Sequence, residues 1–259
     1  MGKTFSTNNL KIIASVAMFF DHFVTVFFPH NEPLSLAFRF FGRMAAPIFC
    51  FFIAQGFYYT SNLNKYIFRL LILAVISHFP YNYAFGLSMF RTSVVWPLTM
   101  GLIALAVVKN DKLNIALKLM IAVVCCVVTY RANWEFVAVL WVLAFGVFHG
   151  NFIRQIVSFC VIGIVFHLIP YFFVVEDLAF LQVISPQWFR LGFSHGTYPQ
   201  WFQLGIFLAI PLLAMYSGKP GKKSVFMTWF FYVFYPAHLI LLFILKQYTS
   251  MAEILEKLY

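Results

Sequence analysis

Residues 10–28 read LKIIASVAMFFDHFVTVFF, an apolar run interrupted only by Lys11, Ser15, Asp21, His22 and Thr25. A spanning helix needs about 20 residues of this kind to cross roughly 30 Å of hydrocarbon. The run is too long for a signal-peptide core and is followed by no small-x-small cleavage pattern, so it is expected to stay as a first membrane helix. Working outward, similar runs occupy 44–60, 66–86, 92–108, 113–130, 134–149, 155–175, 199–216 and 225–245. They are continuous, without the ten-residue alternation of a membrane barrel. The expected fold is all-α, a polytopic integral membrane bundle of about nine transmembrane helices (eight to ten), forming a single domain over 1–259. The stretch 176–200 holds Pro186, Gly192, Gly196 and Pro199 and reads as a long loop, with Trp188, Tyr198 and Trp201 suited to the membrane interface.

Composition agrees. Of the 259 residues 63% are hydrophobic and 10% charged, a balance that a soluble exterior could not accommodate. The net charge of +10 is spread singly and in small groups between the apolar runs, as membrane loops use it, and forms no nucleic-acid patch. Placing successive loops on alternate sides puts eleven Lys and Arg residues on the N-terminal side and seven on the other, which predicts a cytoplasmic N-terminus. Cys50, Cys125, Cys126 and Cys160 lie within apolar runs and read as buried thiols. No spacing suggests a metal site or a phosphate-cradling glycine loop.

An ionisable side chain inside a bilayer costs about 2.5–3.5 kcal/mol on insertion scales, so each one asks for a reason. Lys11 and His22 are eleven residues apart, which brings them within about 20° of alignment on a helix and separates them by about 16 Å along its axis. Asp21 stands on the flank of that face. Adjacent residues on a helix do not face each other, so Asp21 and His22 are not expected to form a dyad. Arg43, His238 and Tyr235 are the expected partners. FRFFGRMAAPIFCFFIAQGF (38–57) carries Arg39, Arg43 and Gln55 among small residues that permit close helix approach. Arg69 and His78 intrude on the third run, and FYVFYPAHLILL (231–242) places Tyr235 and His238 in the last.

Taken in order, these segments resemble the TraX family, the pilin N-acetylases and related fimbrial-assembly proteins. LKIIASVAMFFDH is similar to the family's first-helix motif, and FGRMAAPIFCFFIAQGFYYT to its Gly-Arg-x-x-x-Pro block. YIFRLLILAVISHFPY, YSGKPGKK and FYVFYPAHLILL resemble the later motifs. The basic residue, ten intervening residues and histidine of the first helix resemble, more faintly, the transmembrane acyltransferase superfamily. The resemblance implies a bacterial inner-membrane enzyme that moves acetyl from cytoplasmic acetyl-CoA to the N-terminus of a pilin subunit. It implies catalytic roles for His22, as general base, and Asp21, with Lys11, Arg43, Arg69 and Gln55 binding substrate or CoA and Tyr235 and His238 in support. An O-acetyltransferase of an envelope polysaccharide and a non-enzymatic fimbrial assembly factor are the alternatives.

Overall fold

The computed structural model describes residues 4–30, 32–168, 201–221 and 225–256; the loop expected at 176–200 lies outside them. Helix α1 (Thr7–Phe27) is followed by α2 (Pro33–Gly42), α3 (Ala45–Tyr59), α4 (Leu63–Phe85), α5 (Val95–Val108), α6 (Ile115–Val127), α7 (Glu135–Val147) and α8 (Phe152–Ile162). A π turn, Gly163–Leu168, extends α8; a 3₁₀ segment, Trp201–Leu208, leads into α9 (Ala209–Ala214), and α10 (Val225–Glu256) closes the chain. The described residues contain no strand beyond two isolated bridges, so the protein is an all-α helical bundle.

Helix starts follow local chemistry. Ser6, Asn62, Asn114 and Asn151 each cap a helix by accepting from the backbone N–H three residues on. Gly86 ends α4 in the left-handed conformation, with φ 64°, that favours glycine.

The bundle is packed tightly inside and greasy outside. Leu10, Ile48, Leu102, Leu105, Trp141, Phe145 and Leu239 are fully buried. Gly101 and Gly146 let α5 and α7 approach closely, because a Cβ at Gly101 would stand 2.8 Å from Val142 Cβ. On α4, Phe68, Ile72, Val75, Ile76, Phe79 and Tyr83 all face outward. That is a stripe at helical spacing, which water would penalise and lipid accepts.

Two ends of the bundle can be told apart. At one, Thr7 N donates to Lys219 O at 2.9 Å, Tyr58 Oη to Gly146 O at 2.6 Å and Lys109 Nζ to Val147 O at 3.3 Å. At the other lie the C-terminal ends of α1 and α4 and the starts of α5 and α7.

The expected count of nine spans is corrected here. Four described helices are long and apolar enough to cross a membrane: Thr7–Phe27, Pro33–Tyr59, Leu63–Phe85 and Trp229–Thr249. The others are shorter; α5, at 14 residues, reaches about 21 Å at 1.5 Å per residue. Hydropathy marks how far an apolar run extends and not where its helix starts and stops: the runs 92–108, 113–130 and 134–149 hold helices of 14, 13 and 13 residues. Thr92 N donates to Arg131 O at 3.3 Å and Asn133 N to Thr92 O at 2.9 Å. This tie between two loops holds Thr92 outside α5, although its apolar run began there. Trp134 and Glu135, at φ 67° and 44°, add a left-handed corner before α7.

Candidate functional site

Asp21 and His22 do not face one another; each meets a side chain from elsewhere in the bundle. Asp21 Oδ1 accepts from Arg43 Nη2 at 3.3 Å. The pair depends on Gly42, since a Cβ at that position would overlap the Asp21 side chain. The Arg43 guanidinium also lies 5.4 Å from the Trp134 ring centroid and 5.2 Å from that of Phe202. Arg39 stacks on the same Phe202 ring at 4.0 Å. These ring faces receive the guanidinium groups where water is scarce.

His22 turns the other way, toward α10. Its Nδ1 is 2.9 Å from Nε2 of His238, and Nδ1 of His238 is 2.9 Å from the carbonyl oxygen of Phe234. A carbonyl only accepts, so His238 Nδ1 carries the hydrogen and neutral His238 presents Nε2 as an acceptor. His22 must then donate through Nδ1, which leaves the lone pair on its Nε2. The edge-on ring of Phe85, 5.0 Å away, holds the His22 plane from a third side. Both histidines are buried, at 6% and 4% exposure. The result is a histidine of fixed tautomer with a basic nitrogen left over, held by a second histidine and a main-chain carbonyl.

Two cavities meet beside this chain of rings. The larger, about 730 Å³, opens among the residues of the Thr7–Lys219 end and is lined by Lys11, Ser15, Tyr66, Arg69, Gly221, Phe231 and Tyr235, among others. Lys11 Nζ stands 5.2 Å from the Phe231 ring centroid and 5.6 Å from that of Phe52; Arg69 stacks 5.8 Å from Tyr232. The smaller, about 360 Å³, is lined by Asp21, His22, His30, Arg39, Arg43, Arg91 and Lys246, among others. Met18, Phe49 and Val94 line both and form the wall between them. His30, in the loop after α1, has its pKa pushed below the ordinary imidazole value, by partial burial first and then by the Arg39 charge.

The candidate residues are thus divided. Lys11, Arg69 and Tyr235 line the larger cavity, and Asp21, His22 and Arg43 the smaller, with His238 behind His22. Arg43 is therefore not beside Lys11 and Arg69. Gln55 lines neither cavity; its Oε1 is 3.2 Å from His149 Nε2, at the end where His149 stacks on Tyr58. Sequence reasoning passed over Arg91 and Lys246 as sites, because isolated loop cations look like topology signals; Arg39 had no role of its own.

Fold and site together define a polytopic helical membrane protein with two abutting cavities and a buried histidine pair, one ring of which lines the smaller cavity. The chain belongs to the TraX family, matching the TraX protein description over residues 6–246. It is similar to a "probable fimbrial assembly protein FimC, serogroup H1" from Dichelobacter nodosus, at 24% identity over 256 residues covering 95% of this chain and 98% of the relative. No solved structure matches the chain.

Proposed function

We propose that this protein is an acetyltransferase that uses acetyl-CoA and acetylates the N-terminal amine of a pilin or fimbrial subunit. The observation that carries the reading is the Phe234 carbonyl–His238–His22 chain, which leaves a basic nitrogen on a ring lining one of two cavities that share a wall. The fimbrial name of the relative supports the acceptor.

In this reading the larger cavity receives the acyl donor. Its volume lies within the 300–1,000 Å³ of ordinary ligand sites, and Lys11 and Arg69 supply cations for the phosphates of CoA. The acceptor amine enters the smaller cavity and attacks the thioester carbonyl carbon. His22 Nε2 takes the proton from the nitrogen as the tetrahedral adduct forms. The adduct then collapses, the carbon–sulfur bond breaks, and the CoA thiolate leaves and takes up that proton. His238 shares the positive charge that His22 acquires, while Arg43 and Asp21 hold the wall of α1 in place. Because acetyl-CoA is cytoplasmic, the Thr7–Lys219 end faces the cytoplasm of the inner membrane and His22 lies toward the outer leaflet. Among the described residues Lys11, Lys65, Arg69, Lys109, Lys112, Lys118, Arg154 and Lys219 lie toward the Thr7–Lys219 end, and Arg39, Arg43, Arg91, Arg131 and Lys246 toward the other, which supports that orientation.

Acetyl-CoA binding by the detergent-purified protein tests the donor assignment. Saturable binding that CoA displaces and that Lys11→Gln weakens is the expected result. Failure to bind acetyl-CoA at any concentration near its cellular range would return the protein to the class of non-enzymatic assembly factors.

A further inference from the structure

The smaller cavity has a charge problem that the reaction just described does not explain. Among the described residues Arg39, Arg43, Arg91 and Lys246 line it with one carboxylate, Asp21, which Arg43 already engages, so that Arg91 and Lys246 face the cavity with no described carboxylate of its lining left to match them. They come from three different parts of the chain: Arg39 and Arg43 one turn apart at the end of α2, Arg91 in the loop before α5, and Lys246 on α10. Their convergence on one cavity of about 360 Å³ is therefore a product of the fold and not of a local run of charge.

Topology does not account for them either. Loop cations are favoured on the cytoplasmic side, and these stand at the opposite end in the orientation proposed above. Lys246 is drawn inward, its Nζ donating to the carbonyl of Ala84 at 3.3 Å at the end of α4. An acceptor arriving as an ammonium ion would be repelled by this wall. An acceptor whose amine sits near a negative group would be attracted, and its amine would be carried to His22.

We propose that the smaller cavity is a subsite for an anionic group, a phosphate or a carboxylate, carried by the acceptor close to the atom that is acetylated. This rests on the transfer reaction above for its purpose, but not for its chemistry. Arginine forks bind phosphate and carboxylate oxygens in pairs of parallel hydrogen bonds, and do so more strongly where water is excluded. All four lie partly open to solvent, but the Nε atoms of Arg39 and Arg43 are shut off from it, so Arg91 and Lys246 would take the anion first. The requirement selects among acceptors: a neutral amine or hydroxyl of the same size binds poorly.

The test uses the full-length protein in phosphatidylcholine nanodiscs, with no acetyl-CoA present, so that a failure of catalysis leaves the result intact. Calorimetric titration compares O-phosphoethanolamine with ethanolamine, and inorganic phosphate with each. The phosphorylated amine should bind at least roughly tenfold more tightly, the equivalent of one charge-assisted hydrogen bond. Arg91→Gln and Lys246→Gln should each remove most of that preference and leave ethanolamine binding unchanged. Lys246→Arg, which keeps the charge, should retain it and so distinguish a lost charge from a damaged fold. A 3′,5′-ADP arm separates acceptor from donor: the two neutral variants should bind it as the wild type does. Replacing phosphatidylcholine by phosphatidylglycerol distinguishes the source of the anion. Loss of phosphoethanolamine binding there assigns the subsite to a lipid-borne acceptor, and retention to a soluble or peptide one. Equal binding of the phosphorylated and plain amines would overturn the proposal. So would a parallel loss of 3′,5′-ADP binding in both neutral variants, since the cations would then serve the donor.

Discussion

The two cavities lie on either side of Met18, Phe49 and Val94, and they are built on opposite principles. The larger is roomy and mostly apolar, and its cations lie against aromatic faces: Lys11 over Phe52 and Phe231, Arg69 over Tyr232. Such a site accepts a long, flexible molecule and fixes it at few points. The smaller has half the volume and a dense ring of charge, with each functional side chain held by another: Asp21 by Arg43, His22 by His238, His238 by the Phe234 carbonyl. Preorganised polar groups of that kind are suited to a reacting atom. In the proposed reading binding and chemistry are separated along α1, where Lys11 lines one cavity and His22 the other.

That division can be broken one piece at a time. His22→Ala removes the base and should lower acetyl transfer by about 10²–10⁴-fold, with acetyl-CoA affinity nearly unchanged, as measured by paired kinetics and equilibrium binding. Gly42→Ala comes next. The added methyl group overlaps Asp21 and must push α1 from α2 or break the Arg43 pair, an overpacking of about 1–3 kcal/mol. Transfer should fall by more than tenfold and the unfolding temperature should drop, whereas the same change at Gly150, whose added Cβ would meet nothing within 4 Å, is expected to report only the strain of its φ of 86°. His238→Ala should lower turnover about tenfold, because a net hydrogen bond is worth about 0.5–1.5 kcal/mol. His238→Gln, which can still accept from His22 Nδ1, should recover part of the loss, an outcome that a merely space-filling role would not produce. The smallest effects belong to the larger cavity. Lys11→Gln should raise the KM for acetyl-CoA about tenfold, and the more exposed Arg69→Gln about threefold, each with kcat little altered.

Much of this was legible before any coordinates. The helical class followed from unbroken apolar runs, and the intramembrane Asp21 and His22 were conspicuous because bilayers tolerate such groups only for cause. Their non-facing geometry follows from helical periodicity alone, and Arg43 and His238 were already among the candidates to meet them. What the residues could not reveal depends on contacts between distant segments. The tie of Thr92 to Arg131 and Asn133 keeps Thr92 out of α5, and no local pattern announces it. Likewise Arg91 and Lys246 look like ordinary flanking cations until the fold gathers them beside His22. Gln55 is a polar residue on an apolar helix that invites a functional reading; the fold pairs it with His149, at the end of the bundle away from His22.

The central claim is that His22 performs acetyl transfer to a pilin N-terminus. Its most direct test is the mass of the cognate pilin's mature N-terminus, taken from cells with the wild-type protein, with His22→Ala at matched membrane abundance, and with none. The account predicts one added acetyl group in the first case and an unmodified amine in the other two. An acetylated N-terminus in the His22→Ala cells, or an unmodified one in all three, would contradict it.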